Sequence, residues 1–274
     1  MKFVRYGEKG QEKPGVLDAQ GRLRDLSDQV SDLSGEVLGR LGSLKADGPL
    51  VEGSPRIGTP VAAVGKMVCI GLNYSDHAAE ANMTPPKEPM IFMKATSAIS
   101  GPYDPIELPR GSVATDWEVE MGVVIGKPAK YITPEQVLDH VAGFVAVNDV
   151  SERDFQLHRS GQFTKGKSCD TFGPVGPWLV TPDEIADPQN VGLRILVNGE
   201  FMQDGNTRDM IFPMAEAIAH LSHFMSFQPG DIIATGTPAG VGMGMKPPRY
   251  LAAGDEVLLE VDGLGQQRMT VIQG

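Results

Sequence analysis

Two glutamates stand two residues apart in Asp116-Trp117-Glu118-Val119-Glu120, at the head of the apolar run Met121-Gly122-Val123-Val124-Ile125. Read as a β-strand, the segment puts Glu118 and Glu120 on one face and Trp117, Val119 and Met121 on the other, because strand side chains alternate. Their carboxylates would lie about 7 Å apart, at roughly 3.3 Å rise per residue. At an effective dielectric near 20 their repulsion is on the order of 2 kcal/mol. A half-buried site keeps such a pair only if a cation or a proton relieves it. A second apolar run, Val141–Val147, ends in Asn148-Asp149 and offers a third carboxylate. Glu118, Glu120 and Asp149 as oxygen ligands with open positions between them suit Mg²⁺ or Mn²⁺, and no Cys/His cluster argues for zinc. The spacing alone also fits a solvated strand carrying two surface glutamates.

A second candidate lies upstream, in Ile70-Gly-Leu-Asn-Tyr-Ser-Asp-His-Ala-Ala-Glu80. His77 and Glu80 are three apart and share a helix face. A carboxylate that holds an imidazole fixes its tautomer and raises its basicity, as a general base requires. A surface ion pair has the same spacing. The Gly-rich stretch Asp231-Ile-Ile-Ala-Thr-Gly-Thr-Pro-Ala-Gly-Val-Gly242 follows a strand and can offer backbone N–H groups to an anion. It lacks the lysine of a phosphate loop and the context of a dinucleotide site.

These residues need a scaffold. Strand-like runs punctuated by Gly and Pro fill most of the chain: Lys2–Tyr6, Pro14–Asp18, Arg22–Asp25, Lys66–Gly71, Met90–Met93, Glu118–Gly126, Ala142–Asn148, Trp178–Thr181, Leu193–Val197, Asp231–Thr235 and Glu256–Val261. Asn198-Gly199 and Asp262-Gly263 are hairpin signals. A short helix is expected over Gly35–Leu41, another over Ser75–Asn82, and a third from Pro213 with Met214, Ile218, Leu221 and Met225 on one side. His220 and His223 on that helix read as surface or packing residues. Strands and helices do not alternate regularly, so the pattern predicts an α+β fold with a mixed sheet rather than a doubly wound one. The composition of residues 42–60 shifts to Gly, Pro, Ser and charge. This divides a small N-terminal domain with its connector, 1–60, from a main domain, 61–274.

Hydrophobic residues make up 41% and charged residues 22% of the 274, ordinary for a globular protein. The net charge of −11 comes with no dense Lys/Arg block, which argues against nucleic acid and anionic membrane as partners. No stretch approaches the ~20 apolar residues of a membrane helix. The charged start shows no signal peptide, and two distant cysteines, Cys69 and Cys169, suggest a reducing cytoplasm and small buried thiols.

Five segments, in order, resemble the fumarylacetoacetate hydrolase superfamily: Gly71–Glu80, Asp116–Glu120, Asn148–Asp154, Lys167–Gly173 and Thr235–Gly240. The likeness covers about residues 66 to 272, and the N-terminal part looks like the cap of longer bacterial members. It implies that fold, as a sheet sandwich or roll, and a homodimer. It also implies Mg²⁺ or Mn²⁺ at Glu118, Glu120 and Asp149, and a lid bearing His77 and Glu80. Arg153, Gln156, Lys167 and Thr237 match positions that contact substrate oxygens in members cleaving acylpyruvates. Cys169 departs from the family, where many relatives carry an aromatic residue. The implied reaction is hydrolysis of a carbon–carbon bond in a 2,4-diketo acid, releasing pyruvate, with Lys167 holding the carboxylate side or protonating the enolate. Gly10–Gly15, Asn206–Arg208 and Gly240–Gly244 resemble a bacterial branch labelled ureidoglycolate lyase or sugar-acid hydrolase. That likeness favours 2,4-diketo-3-deoxy-L-rhamnonate, cleaved to pyruvate and lactate. Acylpyruvate or fumarylpyruvate hydrolysis, ureidoglycolate lysis, oxaloacetate decarboxylation and metal-dependent binding without catalysis remain open, since shared motifs do not separate them.

Overall fold

The computed structural model describes residues 1–80 and 83–274. Its centre is a nine-stranded mixed sheet with the order Leu23–Asp25, Lys13–Leu17, Lys2–Tyr6, Leu179–Val180, Val141–Asn148, Val119–Ile125, Ile232–Ala234, Met67–Gly71 and Met90–Lys94. All neighbours run antiparallel except Ile232–Ala234 beside Met67–Gly71. A second sheet has five strands, built from the hairpins Gly192–Val197/Glu200–Asn206 and Glu256–Val261/Gly265–Gln273 with Ile106–Leu108 at its edge. Asn198 and Gly199, both at positive φ, make the first of these turns.

Both faces of the central sheet are covered, which explains why Val119–Ile125 is buried at every position instead of alternating. One face sets Val119, Met121, Val123 and Phe144 against Leu193, Ile195, Val257 and Leu259 of the second sheet and against the helix Met214–Leu221. The other sets Met67, Cys69, Val124, Val145 and Val147 beneath Leu38 and Leu41 of the 3₁₀ segment Gly35–Ser43. Residues 1–60 feed this second layer and add three strands to the same sheet through Lys2↔Val180 and Phe3↔Leu179. His220 and His223 pack edge-on or tilted against Phe224 and Tyr131. The helix expected over Ser75–Asn82 runs from Ser75 to Glu80, and its expected last two residues lie outside those described. No described helix is long and apolar enough to cross a membrane.

Candidate active site

The register of two central strands creates the site. Glu120 pairs with Val147, so Glu120 and the side chains at 145 and 147 share a face, and Glu118 and Asp149 continue that face past the strand ends. The turn after Asn148 is held by the Asp149 N–H on the Glu118 carbonyl, 2.9 Å, and by the Glu118 N–H on the Asn148 side-chain oxygen, 3.1 Å. Alternation along one strand suggested carboxylates about 7 Å apart. Folding brings one oxygen from each of Glu118, Glu120 and Asp149 within 4.8 Å of the others, all buried.

Two of these acids already have cationic partners. Lys167 Nζ donates to Glu118 Oε2 and to Asp149 Oδ2, 2.8 Å each. Arg153 Nη2 lies 2.7 Å from Glu118 Oε1, and Lys94 Nζ donates to Asp149 Oδ1 and to the Val150 carbonyl. Glu120 makes no ion pair among the described residues; it accepts the Gly236 N–H at 2.8 Å. Burial, then Asp149 and Glu118, push its carboxyl well above the usual carboxylate range. Burial opposes the charge of Glu118 too, but Lys167 and Arg153 prevail and hold it well below that range. Burial also opposes the charge of Lys167, yet Asp149 and Glu118 raise its pKa, so it stays an ammonium.

A divalent cation fits this constellation. The donors are all carboxylate oxygens, each with a second lone pair, and the one acid without a counter-charge is the one that burial and like charge hold toward its neutral form. Among the groups in direct contact, Asp116, Glu118, Glu120 and Asp149 face Lys94, Lys167 and Arg153: four acids against three cations.

Local chain geometry presents the cationic groups. Asp154–His158 forms a π-helical turn, a conformation frequent at functional sites. Arg153, at its head, donates from Nε to Asp116 Oδ2 at 2.8 Å and from Nη1 to Gln156 Oε1 at 3.1 Å. The helix Phe163–Lys167 packs on this turn at Gly166, where a Cβ would lie 2.3 Å from the Glu152 carbonyl oxygen and 2.6 Å from Gln156 Cβ. Only a glycine lets Lys167 come this deep.

The Gly-rich segment does donate its N–H groups to anions, and those anions are the protein's own. Gly236 serves Glu120, Gly240 serves both oxygens of Glu80 at 3.1 Å, and Gly242 and Met243 serve Asp116 at 2.7 and 3.0 Å. Gly236 has a φ of 101°, a conformation glycine adopts freely, and Asn73 Cβ would lie 2.7 Å from any added Cβ. The segment thus ties the helix Ser75–Glu80 to the acidic floor. Asn73 anchors the start of that helix by donating to the carbonyls of Phe212 and Thr235. His77 is 6% exposed, and its Nδ1 lies 3.5 Å from Glu80 Oε2, a close approach without a formed hydrogen bond.

One cavity of about 160 Å³, open at its mouth, is lined by His77, Glu118, Glu120, Arg153, Gln156, Lys167 and Thr237. Asp149 completes the floor and Glu80 stands behind His77. Thr237 lines this cavity with its hydroxyl already engaged. Its hydroxyl donates to the Val119 carbonyl and accepts from Gln203, so it has no proton left for a substrate oxygen. Two residues were missed in the sequence. Lys94 ends the apolar strand Met90–Lys94 and is buried, an uncommon place for a lysine that only the fold reveals. Asp116 opens the glutamate motif and fastens Arg153 beside Glu118.

Buried carboxylates gathered under a histidine, with fixed cations around them, define the centre of an enzyme acting on a small molecule. The family profile described as fumarylacetoacetate (FAA) hydrolase C-terminal matches residues 66–272. The chain belongs to that family. A relative from Burkholderia multivorans, named no more specifically than a hydrolase, is 58% identical over 274 residues, covering 97% of each chain. The solved fumarylacetoacetate hydrolase of Exiguobacterium antarcticum is 36% identical with a TM-score of 0.88, covering 100% of both chains. Maleylpyruvate hydrolase from Sphingobium sp. SYK-6, solved with manganese(II) and pyruvate, is 29% identical with a TM-score of 0.82, again over 100% of both.

Proposed function

We propose that the enzyme hydrolyses the C3–C4 bond of a 2,4-diketo acid, releasing pyruvate and a second carboxylic acid. The observation that carries this is a cavity in which His77, backed by Glu80, faces the acidic floor of Glu118 and Glu120. Pyruvate and manganese in the Sphingobium structure support the same pairing of ligand and cation. Glu118, Glu120 and Asp149 would hold Mg²⁺ or Mn²⁺, which supplies a Lewis acid for the keto-acid end of the substrate.

The chain's own groups then divide the work. Lys167, an ammonium fixed at the floor by Glu118 and Asp149, holds the substrate carboxylate. Gln156, its oxygen turned to Arg153, offers its NH₂ to a substrate oxygen. His77 takes a proton from water as the water oxygen bonds to C4, and Glu80 stabilises the imidazolium. The C3–C4 pair of electrons goes to C3, which must regain a proton; the one held by His77 balances the reaction.

The test is pyruvate release, with Mg²⁺ added, from acetylpyruvate, fumarylpyruvate, 2,4-diketo-3-deoxy-L-rhamnonate and oxaloacetate. Cleavage of the diketo acids with stoichiometric pyruvate is expected. Turnover of oxaloacetate alone, or release of glyoxylate and urea from ureidoglycolate alone, would overturn the hydrolase assignment. The sugar acid favoured by the branch likeness carries a lactyl end, so its rate against the other diketo acids tests that choice.

A further inference from the structure

The cavity changes character between floor and mouth. Its floor carries Glu118, Glu120, Arg153 and Lys167, each 5% exposed or less. Its walls are Leu72, Met90, Phe92, Phe163 and Met243. At the mouth stand Met83, 46% exposed, and Leu157, 38% exposed. Met83 and Leu157 thus carry the apolar character of the walls out to the mouth. Methionine suits such a wall because its unbranched side chain adapts to a range of shapes.

Charge points the same way. Arg153 and Lys167 are the only Lys or Arg among the described lining residues, and both are already engaged with the floor acids. Outside that lining, Arg159 pairs with Asp154, and Lys165 donates to the Arg159 carbonyl and keeps its charge. A second carboxylate held inside the cavity would therefore be set among Met, Leu and Phe with no free cation among the described lining residues, and an unpaired ion in an apolar site is costly.

We infer that the enzyme selects 2,4-diketo acids whose far end is a hydrocarbon acyl chain, and discriminates against diacids. This rests on the diketo-acid reading above, which puts the substrate's carboxylate end on the floor. Leu157, Met83 and Met90 become the specificity-determining residues.

Two measurements on the Mg²⁺-loaded protein test it. The first is calorimetric binding of 2-oxooctanoate and 2-oxosuberate, equal in length and differing by one carboxylate. The monoacid should bind at least about a hundredfold tighter. Each methylene from 2-oxobutanoate to 2-oxooctanoate should improve affinity about threefold to fourfold. Equal or tighter binding of the diacid, no dependence on chain length, or no binding of either acid would overturn the inference. The second is turnover of 2,4-dioxooctanoate against fumarylpyruvate. Faster cleavage of fumarylpyruvate sinks the inference while leaving the hydrolase assignment intact. Preferential binding of 2-oxooctanoate with no diketo acid cleaved does the reverse. Leu157→Arg, at a half-exposed position on the π-helical turn, should strengthen 2-oxosuberate binding at least tenfold.

Discussion

Two clusters of charge in this molecule have the same arithmetic and opposite character. Beneath the N-terminal strands, Arg5 and Arg56 meet Glu12, Asp32 and Asp104, two cations against three acids. In the cavity, three cations meet four acids. Each has one acid more than it has cations. In the first cluster every acid has an arginine, and Arg56, Asp32 and Asp104 reach water, with side chains 15–27% exposed. Solvent absorbs the imbalance there. In the second cluster all the ion-paired side chains are 6% exposed or less, and the unmatched acid is Glu120, which no cation touches among the described residues. A structural network closes on itself, whereas a site leaves its deficit where a ligand can enter.

The contrast can be broken most severely at Glu120. Glu120→Gln should abolish turnover and weaken Mn²⁺ binding more than about a hundredfold, while leaving stability in chelator unchanged or raised, because a neutral amide needs no counter-charge in the buried floor. Titration calorimetry and melting in EDTA read the two effects separately; loss of stability in EDTA would mean that Glu120 is structural. His77→Ala should keep Mn²⁺ affinity and lose about 10²–10⁴-fold in kcat, measured by pyruvate release. Lys94→Met leaves Asp149 with only the Lys167 ammonium that it shares with Glu118, and in chelator it should cost at most about 3–5 kcal/mol, read from urea unfolding. Added Mg²⁺ should restore much of that loss, since a bound cation replaces the missing charge. An equal loss with and without Mg²⁺ would separate Lys94 from the metal centre.

Smaller effects sharpen the comparison. A Cβ on Gly244 would fall 2.1 Å from Glu80 Cγ. Glu80 can swing away, so Gly244→Ala should leave the melting temperature intact and lower kcat roughly tenfold by spoiling the His77 support. In the N-terminal cluster, Asp104→Asn should cost at most about 1 kcal/mol and leave kcat unchanged. Burial raises the Asp104 pKa, but donation from Arg56 and from the Gly101 N–H outweighs it, so the folded value is depressed. The contribution is thus fully present above the unfolded value of about 3.9 and is lost as pH falls through the lower folded one. Variant and parent stabilities should converge under strong acid.

Much of the site was legible because its residues sit at turns and strand ends whose local period is short. Alternation across Glu118-Val119-Glu120 gives one face, and the i, i+3 spacing of His77 and Glu80 gives one helix side. Thr237 looked like a ligand position by motif, but its hydroxyl is spent on Val119 and Gln203, partners 118 and 34 residues away. Asp116 stood in view inside the glutamate motif; its role needs Arg153 and the N–H groups of Gly242 and Met243, none of them near in sequence. Lys94 resembled the polar end of an ordinary strand until Asp149 was folded against it.

Strand and turn positions, the mixed α+β class and the acidic pair on a shared face follow from the chain itself, because they depend on neighbours one to four residues apart. The convergence of three carboxylates within 4.8 Å, the three cations that leave Glu120 unpaired, and the hydrocarbon walls above them were decided by tertiary structure alone. Electrostatic balance and burial are sums over groups from distant strands, and no local period encodes such a sum.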